Sequence, residues 1–462
     1  MTASPRTVVI VGAGLSGLAA AWTLSRAGHA VSVVERCQRA GGRASGEQIE
    51  GFSVDRMLSL LSTGDRHLLA WIEDLGVADT MLPLRPTLLC QLHRGRVAAI
   101  DTSSLIGLAK IAGIGLRSGA RLIRLPRLMR RYTPLLDPEA PERAADLDYR
   151  SVADFARLYF GPGACERCIA PAATSSDGGD EYEMSRVAFL LQWSSEQGTS
   201  PGIPRRGLQY LARAAAERLP MRYGFDVDCI EAGPKGGFRV HCRREHVGDE
   251  TLEADAVVVT TSAGIAHTVA EPVLTLPERD YLAAVQYGPG ATLVLALDRA
   301  VAGVPEYVRV PRAEGSGVSA VLVEPGTPDG RAPSGAGLAT VAATQRFAAS
   351  HEASADDVAE KALLREFADA FPRAAAKVRF ARLQRHTSAV PRFEVGAYRA
   401  MARFRRVQDD RRAQGRRLYF AGDYLAGARA EHVVASGERA ARALLADWNG
   451  SSSQEPAARV QT

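Results

Sequence analysis

The stretch T-V-V-I-V-G-A-G-L-S-G-L-A-A-A-W-T-L-S-R-A-G-H-A-V-S-V-V-E, residues 7–35, decides the fold. Thr7–Val11 is a short β-branched run that predicts a buried strand. Leu15–Arg26 has helical spacing and several alanines, and Gly28 stands where a helix C-terminus favours glycine. Ala30–Val34 predicts a second buried strand. Strand, helix and strand within about thirty residues fit one right-handed β-α-β crossover. Gly12-Ala13-Gly14-Leu15-Ser16-Gly17 is G-x-G-x-x-G, placed between the first strand and the helix. Gly12 permits a tight turn, Gly14 lets a pyrophosphate approach the backbone, and Gly17 lets helix and strand pack closely. Leu15 and Ser16 open the helix, whose free N–H groups and positive dipole end attract phosphate. Glu35 ends the second strand about twenty residues on, where a carboxylate accepts hydrogen bonds from ribose hydroxyls. The motif predicts a dinucleotide site without choosing between FAD and NAD.

Later segments read as the same domain returning. Gly207–Leu219 predicts an amphipathic helix, Tyr223–Ile230 and Phe238–Cys242 predict strands, and Ala254–Thr260 a buried one. Arg417–Ala421 predicts a last strand, followed by a helix over Val433–Trp448. Strands such as Ala291–Asp298 and helices such as Ala355–Phe371 lie between. The expected fold class is α/β: a Rossmann-type, parallel-sheet nucleotide domain over 1–70, 204–268 and 384–449. An α+β substrate domain is inserted over 71–203 and 269–383. The tail 450–462 is rich in Ser and Gln and is expected to be disordered.

The residues after the second strand select the cofactor. Glu35-Arg36-Cys37-Gln38-Arg39-Ala40-Gly41-Gly42-Arg43 resembles the E-x-x-x-x-x-G-G-R fingerprint of the flavin amine oxidase superfamily. That superfamily includes protoporphyrinogen oxidases and phytoene-desaturase-like enzymes. Gly224–Ile230 resembles its G-x-x-V-x-x-I, and Ala254–Val258 its A-D-x-V-V strand. Leu418–Asp423 matches its L-Y-F-A-G-D, and Glu431–Ala441 its closing helix. The resemblance implies non-covalent FAD, with Gly42 and Arg43 beside the pyrophosphate, Arg36 near the adenosine ribose and Val227 on the adenine. It implies Gly422 and Asp423 on the ribityl or phosphate portion, and the helix start at Val433 and Val434 facing the flavin ring. Three residues depart from the pattern: Cys37 lies near where a basic residue is usual, Met57 replaces glycine after Phe52–Arg56, and His432 replaces glycine beside the ring.

Amine oxidases of the family usually carry a lysine on a substrate-domain strand. The corresponding strand, Ala291–Asp298, has none, and no lysine lies between Lys235 and Lys361. Arg385–Gly396 resembles the R-W-x-x-A-I-P-Q-Y-x-V-G segment of protoporphyrinogen oxidases, with His386 in place of tryptophan. The resemblance thus implies an oxidase or desaturase that moves hydride from a large, mostly apolar substrate to flavin N5, with oxygen or another electron acceptor downstream. An amine or amino-acid oxidase is the enzymatic alternative, and a non-catalytic flavin-binding accessory protein is the alternative from another class. His386, His432 and Arg56 are the catalytic candidates, and both histidines have a structural reading as well.

Hydrophobic residues make up 46% and charged residues 24% of the chain, as in ordinary globular proteins. The net charge of +5 comes with no nucleic-acid-binding module, so no nucleic-acid partner is expected. Only Met1–Arg6 precede the first strand, and no apolar run reaches the ~18 residues that span a bilayer. Six cysteines suit a reducing cytoplasm. Cys165-x-x-Cys168 has no second pair at zinc spacing and is expected to be two half-buried thiols. Thr174–Met184, with Asp177, Asp180, Glu181 and Glu183, is expected to be a solvated loop before a helix capped by Ser185, so no metal site is predicted. Between Asp101 and Asp137 there is no acidic residue, yet Lys110, Arg117, Arg121, Arg124, Arg127, Arg130 and Arg131 are present among apolar residues. This stretch has two readings: helices with a solvated basic face, or a peripheral membrane contact over 105–131.

Overall fold

The structure, a computed structural model, describes residues 5–452 apart from 59, 103, 178, 234–235 and 245–247. The tail beyond 452 lies outside the described residues. Five strands form a wholly parallel sheet in the order Met221–Tyr223, Ala30–Glu35, Thr7–Val11, Ala256–Val259, Leu418–Phe420. Val8 and Ile10 enter one core with Leu18 and Leu24 of the helix Leu15–Arg26 and Leu444 and Trp448 of the helix Ala430–Ser452. Val9 and Val11 face the opposite core, with Ile230, Val240, Ala266 and Leu282. Both faces are covered, which is why these strands read as unbroken apolar runs. A Cβ on Gly437 would lie 2.1 Å from the Ser16 carbonyl oxygen, so glycine sets how closely the two helices cross.

The expected strand Tyr223–Ile230 is in fact two. Met221–Tyr223 joins the parallel sheet, while Phe225–Ala232 opens an antiparallel meander with Phe238–Arg244 and Gly248–Ala254. Gly224, at φ +76°, makes the corner between them.

A second, seven-stranded sheet runs Val378–Pro391, Tyr287–Leu297, Gly337–Ala343, Val318–Pro325, Tyr307–Arg309, Leu89–His93, Arg96–Ala99. It is antiparallel except between Tyr307–Arg309 and Leu89–His93. The strand expected from Ala291 starts earlier, at Tyr287. Val378–Pro391 runs unbroken through residue 384.

Two local expectations change. The segment from Thr174 begins inside a helix, Ala170–Asp177, and Arg312 holds Asp180 and Glu181 at 2.9 and 3.3 Å; the Asp177 side chain lies outside the description. Ser185 does cap the following helix Arg186–Glu196, its hydroxyl accepting from Val187 N–H at 3.2 Å. Cys165 and Cys168 are buried rather than half-buried, in a single π turn, and burial pushes their thiols up to about 11 and about 12. The basic stretch forms three short helices, Leu105–Ala109, Leu116–Leu122 and Leu125–Tyr132. Pro126 sits in the first turn of the third, where its missing N–H costs no hydrogen bond.

Candidate functional site

The parallel strands end together at one edge of their sheet, where open α/β folds place ligands. Gly12 follows Val11 at φ +102°. A Cβ on Gly17 would lie 2.0 Å from the Gly12 carbonyl oxygen and 2.6 Å from Thr260 Oγ1, so the helix can start here only with glycine. A Cβ on Gly14, in contrast, would have nothing within 4 Å. The turn at Gly41 (φ +109°) and Gly42 (φ +53°) comes up beside it, with Gly14 bridged to Gly41. Two bare backbone turns therefore flank open space at a helix N-terminus. Glu35 accepts from Ala13 N–H at 2.8 Å and from Cys37 N–H at 2.9 Å. These bonds fix the carboxylate and leave it further acceptor capacity.

Across the cleft, the strand Leu418–Phe420 delivers Gly422 and Asp423. Asp423 is 1% exposed. It accepts from the Tyr287 hydroxyl at 2.9 Å and from Tyr424 N–H at 2.8 Å, and pairs with Arg43 at 2.5 Å. Arg43 also donates to the Ala389 carbonyl at 2.5 Å. Burial opposes the Arg43 charge, but the Asp423 carboxylate outweighs it and raises the guanidinium's pKa. Burial, reinforced by Asp423, pushes the Tyr287 phenol far up, so it stays a donor. Next to this pair, His386 Nε2 stands 3.3 Å from the Arg56 carbonyl. Burial lowers the His386 pKa and the Arg56 and Arg43 charges lower it further, although its hydrogen bond to Arg56 works the other way.

The helix Ala430–Ser452 points its N-terminus into the same region. Gly422 N–H donates to Ser436 Oγ at 3.0 Å. Val434 spends its side chain on the core beside Ala13 and Leu15, with Val433 packed against it. Glu431 turns back to accept from His67 and Leu68 N–H at 3.0 and 2.7 Å, capping the helix Arg66–Asp74. Burial, helped by Arg429, pushes His432 down to about 3, so the ring is neutral. Its Nδ1 and Ser16 Oγ are buried without a hydrogen-bond partner among the described residues.

A glycine-lined cradle, two orphaned polar atoms and a buried ion pair at a helix N-terminus suit a large phosphate-bearing cofactor. A flavin-containing amine oxidoreductase family model matches residues 15–445. The chain belongs to the flavin-containing amine oxidoreductase family. That family is one of flavin-containing oxidoreductases, and the cofactor it implies is FAD. A putative flavin-containing monoamine oxidase, AofH, of Mycobacterium tuberculosis is 29% identical over 237 residues, 46% of this chain and 48% of that one. The chain thus spans about half the length of that curated relative. Among solved structures, a putrescine oxidase variant aligns with a TM-score of 0.77 at 17% identity, covering 96% of this chain and 99% of that one. A putative protoporphyrinogen oxidase from Exiguobacterium aligns at 0.71 and 18%, with the same coverage. These likenesses show the family fold.

The residues present fit FAD. Gly12, Gly14, Gly17, Gly42, Arg43 and Asp423 lie around this cleft, with His386 and the Arg56 carbonyl beside them. Arg36 is exposed and makes no hydrogen bond or ion pair among the described residues. Val227 is buried in the meander beside Phe225. Sequence reasoning missed Tyr287, Ser436 and the Ala389 carbonyl. Tyr287 stands just ahead of Gly288-Pro289-Gly290. That loop-like signal hid its place at the head of a strand.

Proposed function

We propose that the chain is an FAD-dependent oxidase or desaturase acting on a large, mostly apolar, uncharged or anionic molecule. The observation that carries this reading is the charge around His386. Arg43 and Arg56 both act on that ring, and both lower its pKa. Two carboxylates of this region are already committed, Asp423 to Arg43 at 2.5 Å and Asp55 to Arg331 at 3.6 Å. A protonated amine entering here would meet cations and neutral imidazoles instead of a counter-charge. FAD held in this cleft would supply the redox chemistry, as the acceptor of hydride from a substrate carbon. The chain's own part is to hold the cofactor through the glycine turns and Asp423 and to keep water from the cleft. His386 and His432 stay neutral, so neither repels an apolar substrate.

Anaerobic mixing tests the reading. Apolar polyene, prenyl or tetrapyrrole compounds should bleach the flavin, and simple primary amines should not. Rapid bleaching by a primary amine would overturn it in favour of an amine oxidase, the reading favoured by the putrescine oxidase and AofH likenesses.

A membrane surface is the proposed route of delivery. Leu105, Ile106, Leu116 and Ile123 are exposed, Leu116 by 96%, among the exposed cations Lys110, Arg117, Arg121, Arg124 and Arg127. None of these cations forms an ion pair among the described residues. Apolar side chains ringed by unpaired positive charge suit an anionic lipid interface. Among the described residues, no helix is long and apolar enough to cross a membrane. Co-sedimentation with phosphatidylserine vesicles should rise with anionic lipid and fall with salt. Equal recovery with neutral vesicles would count against it.

A further inference from the structure

The meander beside the parallel sheet carries a side-chain group that the flavin site does not use. Phe225 and Val227 point inward, so strict alternation would send residue 229 inward too. The pairing with Phe238–Arg244 instead slips between Val227 and Cys229. This bulge turns Ile230 into the core and sets Cys229 and Glu231 on the outer face. His241 stands directly opposite Cys229 on the next strand. One ligand atom from each of Cys229, Glu231 and His241 lies within 4.8 Å of the others.

We propose that Cys229, Glu231 and His241 form a zinc site on the outer face of the meander. Thiolate, carboxylate and imidazole together make a donor set that zinc accepts. Tetrahedral zinc with bonds of ~2.0–2.1 Å to nitrogen and oxygen needs those atoms about 3.3 Å apart. His241 Nε2 and Glu231 Oε2 are 3.1 Å apart. On the third strand Thr251 faces His241, its Oγ1 3.0 Å from Nδ1. With Nδ1 donating to Thr251, Nε2 presents its lone pair to the ion, the outer-shell arrangement that orients metal-bound histidines. Three protein ligands leave the fourth position to water. Binding releases the Cys229 thiol proton to solvent, so affinity rises with pH. Arg239, 3.4 Å from Glu231, is the competing cation and must swing away. Arg243 is held by Asp228 at 2.9 Å.

The test uses the flavin-loaded protein, equilibrated with zinc, gel-filtered and assayed for metal by mass spectrometry, with affinity from competition against a chromophoric chelator. One zinc per chain is expected. Cys229→Ser and His241→Gln should lose it while keeping their flavin, which reports folding. Thr251→Val should weaken binding about tenfold. Cys37→Ser, which alters the exposed thiol, should leave it unchanged. Cobalt titration of the unmodified chain should give the visible bands of tetrahedral, thiolate-bound cobalt. Absence of those bands would overturn the site, as would zinc retained by both Cys229→Ser and His241→Gln, or zinc lost with Cys37→Ser.

Discussion

Charges in the cofactor cleft and charges on the helices 105–132 follow opposite rules. Asp423 is 1% exposed and held by Arg43, Tyr287 and Tyr424. Arg117, Arg121 and Arg124 are exposed and carry no ion pair among the described residues. A buried charge needs defined partners and is costly to strip of them, whereas an exposed one is screened within about 10 Å at 0.1 M salt. The cleft should therefore respond to geometry and tolerate salt, and the helices the reverse.

The largest effects should come from the glycines that shape the cleft, and two of them separate folding from binding. Gly17→Ala places a methyl 2.0 Å from the Gly12 carbonyl oxygen. It should destabilise the chain by more than about 3 kcal/mol and be seen as poor soluble yield or a sharply lowered Tm. Gly14→Val meets open space, so the protein should fold with a near-normal Tm in the absence of flavin yet carry no FAD after purification. Retained flavin in Gly14→Val would mean that the cofactor lies elsewhere.

Asp423→Ala comes next. It strips the buried end of the Arg43 pair and leaves Tyr287 without its acceptor. A loss of about 1–3 kcal/mol in stability and weaker flavin retention are expected, with little change between 50 and 500 mM salt. A strong salt dependence would mean that the cleft charges are screened like exposed ones.

His67 is an intermediate case, half-enclosed between Glu438 and Glu139 at 2.7 and 2.9 Å. The bond to Glu438 raises its pKa, burial opposes that, Glu139 adds to the rise, and the result is about 9. The folded-state value lies above the ordinary 6.5, so this stabilisation is complete below about pH 6.5 and fades as pH climbs through 9. Tm should fall across that window, and His67→Gln should flatten this part of the curve. An unaltered slope in the variant would remove His67 from the account.

Replacing Arg117, Arg121 and Arg124 with glutamine should change stability least, within about 0.5 kcal/mol each. It should still weaken vesicle binding, by about 1 kcal/mol per arginine. A large fall in Tm would show that these residues support the fold.

Legibility followed the same division. The glycine turns and Glu35 could be read because each meets a local backbone demand with a residue type few alternatives satisfy, whereas Arg43 and Asp423 were legible only through the resemblance to the family's motifs. Gly224 was read as part of a motif, and its φ of +76°, which ends one strand and starts another, was not. Tyr287 reaches Asp423 across 136 positions, and Arg43 reaches Ala389 across 346. Such pairings depend on how two sheets meet, which no local pattern encodes. The Cys229 cluster was hidden because a bulge, invisible in Cys-x-Glu, reverses which face a side chain takes.

The depth at which the thiols sit bears on how long the enzyme lasts at work. Peroxide attacks thiolates, and Cys165, Cys168 and Cys242 are pushed by burial to about 11, about 12 and about 11, with Cys90 raised as well. At neutral pH these four are thiols, shut away from solvent. A flavoprotein that hands its electrons to oxygen bathes itself in its own oxidant. With oxygen as electron acceptor, that oxidant would meet the exposed Cys37 and the half-exposed Cys229 before the buried sulfurs.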